Sequence, residues 1–231
     1  MAQPGYKQFC PVAMAAEVLC TRWTVVLLRE LVAGSTRFND LRRGVPKMSP
    51  TLLSQRLKEL EAAGVIERRA VKSEKGAFEY RMTPSGQDLR PVVEAVGFWG
   101  QKWIQTKLSL RNLDASLLMW DMRRNLNPAP LPQRRTVIQF LYRELPESKR
   151  SWWLVVEPHG EVDLCSVDPG FNVDLYVSTD LHTMTSIWMG VTTVEKEEGK
   201  VILTGNRAIA KEIQTWLGLS PFAVEPKRVA A

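Results

Sequence analysis

The chain has 231 residues, which at roughly 100–200 residues per domain allows one or two domains. Apolar residues make up 45% and charged residues 24%; this excludes wholesale disorder, and no apolar run approaches the roughly 18 residues of a membrane span. The net charge of +6 is unevenly spread: 17 Lys/Arg stand against 10 Asp/Glu up to Ser109, and 14 against 15 beyond it. An excess of +7 therefore faces one of −1. Such asymmetry points to a nucleic-acid-binding first half joined to a half with another task, although a basic solvated face gives the same signal. The start, Met1-Ala2-Gln3-Pro4-Gly5-Tyr6-Lys7, with Glu17 interrupting the apolar stretch after it, does not read as a signal peptide. Cys10, Cys20 and Cys165 form no CxxC, so neither a disulfide framework nor a zinc site is indicated. A reducing cytoplasm is the expected compartment.

The first helix is expected over residues 11–20, with Pro11 at the favoured first position. A second spans residues 23–33, with Val25, Val26, Leu28 and Leu31 spaced for burial and Gly34 as its stop. A short third segment, residues 37–43, ends at Gly44. After the turn Val45-Pro46-Lys47-Met48, Ser49 is a natural N-cap with Pro50 at N1. That fourth helix should run to Ala62 and stop at Gly64. Two short helices joined by a tight turn make a helix-turn-helix.

On a wheel of about 100° per residue, Leu52, Leu53, Leu57 and Leu60 gather on one side of the fourth helix. Thr51, Ser54, Gln55 and Lys58 gather opposite. Hydroxyls, an amide and a lysine are what a helix in the major groove presents to base edges and phosphates. Arg56 falls near the apolar side and should support the structure or grip the DNA backbone at the margin. An ordinary amphipathic surface helix would look the same from this segment alone.

The next segments favour the DNA reading. Residues 66–71, a turn at Ser73-Glu74-Lys75-Gly76 and residues 77–82 read as a hairpin. Phe78, Tyr80 and Met82 share one face of its second strand, Glu79 and Arg81 the other. Arg68, Arg69, Lys72, Lys75 and Arg81 decorate this ribbon as phosphate-tracking candidates. Thr83-Pro84 restarts a helix that carries Leu89, Val92, Val93, Val96, Trp99 and Trp103 toward Lys107. So many large apolar groups after the domain is complete suggest the seam of a homodimer, which a two-fold operator also asks for.

In order along the chain stand Cys10-Pro11-Val12, Arg22-Trp23-Thr24, Leu27-Leu28-Arg29-Glu30-Leu31 and Arg37-Phe38-Asn39-Asp40-Leu41-Arg42. Ser49-Pro50, Leu53-Ser54-Gln55-Arg56-Leu57-Lys58-Glu59-Leu60, Gly64-Val65-Ile66-Glu67-Arg68 and Tyr80 with Thr83-Pro84-Ser85-Gly86 follow. These motifs resemble the HxlR-type winged-helix transcription regulators over almost the whole first half. The resemblance implies a dimeric regulator binding duplex DNA. Arg37, Asn39, Arg42, Arg43, Ser49, Thr51, Ser54, Gln55, Arg56, Lys58, Arg68, Lys72, Lys75 and Arg81 are the expected DNA-facing set. In some relatives a cysteine in the position of Cys10 senses oxidants. A thiol at a helix N-terminus feels the helix dipole, which favours the thiolate; a small half-buried residue before a helix is the plainer reading.

In the second half Asp114 can cap a helix containing Leu117, Leu118, Trp120 and Met122. Asn127-Pro128-Ala129-Pro130-Leu131-Pro132 ends it, since alternating prolines cannot continue a helix. Strands are expected over residues 136–142, 152–156, 162–167, 173–177 and 201–204, and helices over 181–189 and 207–217. The pattern is α+β, an antiparallel sheet with helices segregated on it. Val173-Asp174-Leu175-Tyr176-Val177, Ile187-Trp188-Met189-Gly190, Arg207-Ala208-Ile209-Ala210 and Trp216-Leu217 are similar to the sterol carrier protein domain. That resemblance implies an apolar small-molecule pocket lined from Trp152, Trp153, Phe171, Trp188, Met189 and Trp216. Simple core filling by these side chains is the alternative.

The expected fold is therefore α+β: a winged helix-turn-helix domain over residues 1–109 and a sterol-carrier-like domain over 110–231. His159 and His182 have no evident catalytic partner, and G-x-S-x-G, Walker A, G-x-G-x-x-G and H-E-x-x-H are absent from the sequence. Glu195, Glu197 and Glu198 read as a solvated loop. No enzyme activity, cofactor or metal is expected. The competing class is a lipid or sterol carrier whose basic half binds acidic membrane. That would want Lys/Arg set against Trp/Phe/Leu on one amphipathic helix, whereas here the basic residues gather on the third and fourth helices and the hairpin, so no membrane partner is expected.

Overall fold

A computed structural model describes residues 5–105 and 110–229. The chain divides into two compact units, Met1–Gly97 and Phe98–Ala231. The expected boundary at Ser109 lies outside the described residues, as does Lys107. The units part earlier, inside a helix whose last turns pack with the C-terminal segment of the chain.

The first unit holds α1 (Pro11–Leu19), α2 (Thr24–Val32), α3 (Phe38–Gly44) and α4 (Pro50–Ala62). Strands β1 (Ile66–Ala70) and β2 (Phe78–Met82), the short α5 (Pro84–Gln87) and the first part of α6 (Arg90–Trp103) complete it. Its core is Leu27, Leu28 and Leu31 of α2, Leu41 of α3, Leu53, Leu57 and Leu60 of α4, and Ile66 and Val93. Leu27 takes the buried place expected of Val26, which is 40% exposed, because Leu27 stands one turn from Leu31 on the same face. The single helix expected after Thr83 is broken at Asp88 and Leu89. Pro91 explains the break: it has no amide to donate to Gln87, four residues back, and its ring would clash with that carbonyl.

The second unit carries α7 (Ala115–Asn125), β3 (Thr136–Tyr142), α8 (Glu147–Arg150), β4 (Ser151–Val156) and β5 (Val162–Cys165). Then come β6 (Leu175–Thr179), α9 (Leu181–Trp188), β7 (Ile202–Gly205), α10 (Arg207–Lys211) and α11 (Ile213–Trp216). Asp114 caps α7 by accepting the Ser116 and Leu117 amides, and Asp180 caps α9 by accepting that of Thr183. The sheet order is β5-β4-β3-β6-β7. It is mixed rather than antiparallel, for β6 lies parallel to β3. The meander β3-β4-β5 grows to one side, so β6 reaches the free edge of β3 only by a connection that recrosses the sheet. One sheet face, with Ile138, Phe140, Tyr142, Leu154, Leu175 and Val177, packs against α7, α9, α10 and α11. On the other face Val137, Trp153 and Val155 are covered in part by Val173 of the recrossing connection.

Asp174 ties that topology together. Its carboxylate accepts from Arg134 at 2.6 Å and from the Val137 amide at 2.9 Å, and its carbonyl accepts from the Asn206 amide at 2.8 Å. Partial burial works against the charged form, but the Arg134 guanidinium and the Val137 amide prevail and hold the carboxyl below the usual aspartate range. The last expected helix is two short ones, parted at Glu212. Among the described residues no single helix is long and apolar enough to cross a membrane.

Candidate nucleic-acid interface

The helix pair α3–α4 is fixed before any ligand arrives. Ser49 caps α4 by accepting the Leu52 amide at 3.2 Å, and Pro50 fills N1. Glu30 of α2 is fully buried, and its carboxylate accepts from Arg29 Nη2 at 2.6 Å. The same Arg29 nitrogen donates to the Gly44 carbonyl at 2.8 Å, tying α2 to the end of α3. A Cβ at Gly44 would stand 1.8 Å from the Glu30 carboxyl carbon, so a larger residue there would displace the buried carboxylate from Arg29. Arg29 and Glu30 were missed as site-shaping residues because adjacent helical positions do not ordinarily face each other.

With Leu53, Leu57 and Leu60 buried, α4 presents Thr51, Gln55 and Lys58 to solvent and keeps Ser54 half-buried. Gln55 Nε2 donates to Glu59 Oε1 at 2.9 Å, a bond that base reading would exchange. Arg56 is committed to the protein: Nε donates to the Arg22 carbonyl at 3.2 Å and Nη1 pairs with Glu59. On and around α3, Asn39, Arg42 and Arg43 are exposed, with Arg43 lying 3.5 Å from Asp40. Lys47, exposed in the turn between α3 and α4, joins this set. In the sequence that segment reads only as a turn.

The hairpin is less basic than its arginine count suggests. Arg68 lies opposite Tyr80 in the register, on the core-side face, and its guanidinium covers the exposed Phe78 ring at 3.6 Å. On the other face Glu67 pairs with Arg69, and Arg81 Nε donates to Glu79 Oε1 at 2.7 Å. The hydrogen bond from Arg81, opposed by slight desolvation and helped by the charges of Arg81, Arg37 and Arg69, lowers the Glu79 pKa. Arg37 pairs with Glu74 at 2.7 Å, while its backbone bridges to Glu79 beside β2. Lys72 and Lys75, at the turn, are exposed, and among the described residues neither has an ion-pair partner. The neutralising pairs were readable, because Glu67 and Arg69, like Glu79 and Arg81, stand two apart on a strand and so share a face.

The family model described as HxlR-like helix-turn-helix matches residues 18–108. YvaP of Bacillus subtilis, named an uncharacterized HTH-type transcriptional regulator, is 34% identical over 98 residues, covering 42% of this chain and 91% of that protein. YdeP of the same organism, similarly named, is 36% identical over 94 residues, covering 41% and 73%. The chain belongs to the HxlR-like helix-turn-helix family. Among solved structures, the redox regulator HypR in its reduced form is 32% identical, with a TM-score of 0.38 over 40% of this chain and 91% of that one.

Cys10 sits exposed at the N-cap of α1, where its side chain makes no capping hydrogen bond. The six residues expected to line an apolar pocket are spread over both faces of the second unit's sheet and its surface. Trp188 and Trp216 are packed into the sheet–helix core, where Trp216 Nε1 donates to the Ile209 carbonyl at 2.8 Å. Trp152 leans on that core with Met189, whereas Trp153 points to the opposite sheet face. Phe171 is exposed, with the Arg135 guanidinium 4.3 Å above its ring. Adjacent strand residues face opposite ways, so Trp152 and Trp153 could never line one cavity. A cleft of about 270 Å³ lies between residues 127–133 and the β4–β5 turn, and none of the six lines it. Among the described residues no three His, Cys, Asp or Glu side chains converge as a metal site requires.

Proposed function

We propose that this chain is a sequence-specific, homodimeric, cytoplasmic transcription regulator that reads duplex DNA with α4. The observation that carries the reading is α4 itself: a capped helix with three buried leucines and an exposed Thr51, Gln55 and Lys58. Lys47, Lys72 and Lys75 add charge free to neutralise phosphates. Self-association is supported by α6, where Val92, Val96, Trp99 and Trp103 recur at helical spacing and are 46%, 52%, 59% and 44% exposed. Two copies would hold two recognition helices for half-sites about 34–36 Å apart. The second unit, a sterol-carrier-like sheet–helix layer whose core is filled by its own aromatics, serves the dimer rather than an apolar effector.

Binding to an operator should fall steeply as salt rises, because phosphate neutralisation releases counterions. Gln55→Ala should cost about 1–3 kcal/mol at one base position and little at the others. If sequence preference survived Gln55→Ala unchanged, α4 would not be the reading helix. Anionic vesicles offered at the same salt should capture none of the protein; capture there without DNA binding would favour a membrane-bound carrier.

A further inference from the structure

The distal half of α6 is poorly built to stand alone. Gly97 and Gly100 fall in its last two turns, where glycine weakens a helix, and its final carbonyls have no partners within the helix. The partners come from the far end of the chain. Lys227, 123 residues after Ile104, donates from Nζ to the Ile104 carbonyl at 2.7 Å, and the Arg228 amide donates to the Lys102 carbonyl at 2.9 Å. A lysine at that end also complements the negative pole of the helix dipole. Lys102 pairs with Glu225 at 2.8 Å, both side chains about three-quarters buried. The Phe98 and Phe222 rings meet edge to face, 5.4 Å between centroids.

The same C-terminal segment is anchored in the second unit's own core. The Ser220 amide donates to the carbonyl of Trp188, a core residue at the end of α9, at 2.9 Å. Gly190, with φ +70°, leaves room for Ala223, whose Cβ lies 2.9 Å from where a Cβ would stand. Gln101 of α6 reaches the neighbouring Met189 carbonyl at 3.3 Å. At about 100° per residue, Phe98 and Gln101 lie on the side of α6 away from Val92, Val96, Trp99 and Trp103, with Lys102 on the flank between. One side is held; the apolar stripe is left largely exposed, with the Arg228 guanidinium 6.0 Å from the centre of the Trp103 ring at its distal end.

We propose that residues 220–228 are a strap that caps and holds the distal turns of α6, setting its open stripe for pairing with a second copy of this chain. The inference rests on the self-association reading above. It gives the second unit a physical route to DNA binding: whatever shifts the end of α9 shifts the strap, and with it the dimer that spaces the recognition helices.

The test uses the full chain with Lys102→Glu, Glu225→Lys and both together, each assayed by sedimentation equilibrium and by binding to a single half-site. Either reversal alone should weaken self-association about tenfold, and the double exchange should restore most of it. Deleting residues 220–231 should weaken self-association further while half-site binding persists, showing the first unit still folded. Single reversals that associate like the parent, or a double exchange without rescue, would overturn the strap while leaving the dimer intact. A parent chain that sediments as a monomer would overturn the dimer, and the strap's role with it.

Discussion

Trp99 and Trp103 on α6 are 59% and 44% exposed, whereas Trp188 and Trp216 beneath the second unit's sheet are 5% and 0%. All four sit on helices among apolar neighbours at helical spacing. The difference lies in what the rest of the chain brings to each face. Beneath the sheet, Phe140 meets Trp216 edge to face at 6.5 Å, and Met119 accepts from the buried Tyr142 hydroxyl at 3.1 Å. Burial raises the Tyr142 pKa, with the nearby Glu144 charge adding to it, so the phenol stays a donor. Along α6 the chain covers one side and leaves the other largely exposed, with Arg228 reaching over the Trp103 ring at 6.0 Å. Apolar periodicity thus says that a face wants covering, and the fold decides whether the chain or another molecule covers it.

Truncation should separate the two kinds of tryptophan. Trp216→Ala removes a fully buried indole and its hydrogen bond to Ile209, and should cost about 3–5 kcal/mol in urea unfolding of the second unit. Trp99→Ala should leave folding stability within about 0.5 kcal/mol, yet weaken self-association by about 2 kcal/mol, read by sedimentation. A Trp99→Ala protein that stays fully dimeric would remove this stripe as the seam. Equal unfolding losses for both variants would break the comparison itself.

A smaller effect should appear at Asp174. Its carboxyl titrates lower in the folded chain than in the unfolded one, so the unfolded state takes up the proton first as pH falls. Its stabilisation is fully present above the ordinary aspartate range and is lost as pH drops through the folded value. Asp174→Ala should cost about 1–2 kcal/mol at neutral pH and flatten the acid side of the stability profile. An unchanged acid limb would mean that other carboxylates set it, Asp180 at the cap of α9 first among them, whose pKa is lowered as well.

The parts legible in the sequence are those governed by neighbours along the chain. Ser49, Thr83, Asp114 and Asp180 each cap the helix that follows them, because a side-chain oxygen two or three residues before an orphan amide can reach it. The face of α4 followed from its leucines for the same reason. What escaped depended on partners far away. The parallel pairing of β3 with β6 needs a connection across the sheet that no local pattern announces. Trp152 and Trp153, alike in type, are set on opposite sheet faces by strand alternation, so grouping them by type misleads. The Arg29–Gly44 link joins residues brought together only by the packing of α2 on α3. The clasp on α6 joins residues at opposite ends of the second unit.

The hairpin offers the finest contrast, between paired and unpaired cations on one ribbon. Arg81 is held by Glu79 at 2.7 and 3.2 Å, so the two form a nearly neutral unit whose field falls off quickly. Lys75, exposed at the turn, is not neutralised in this way. If DNA binding releases one counterion for each phosphate met by a free cation, Lys75→Ala should reduce the salt slope of log K by about one unit for every DNA sequence alike. Arg81→Ala alone would be a poor comparison, because it bares the Glu79 carboxylate beside the phosphates. The exchange to make is Glu79→Gln with Arg81→Gln, which removes both charges at once. That double variant should keep the salt slope of the parent, since it removes no free cation. A slope that falls by the same amount in both proteins would show that Arg81 leaves Glu79 to contact phosphate, and that the hairpin's ion pairs open when DNA arrives.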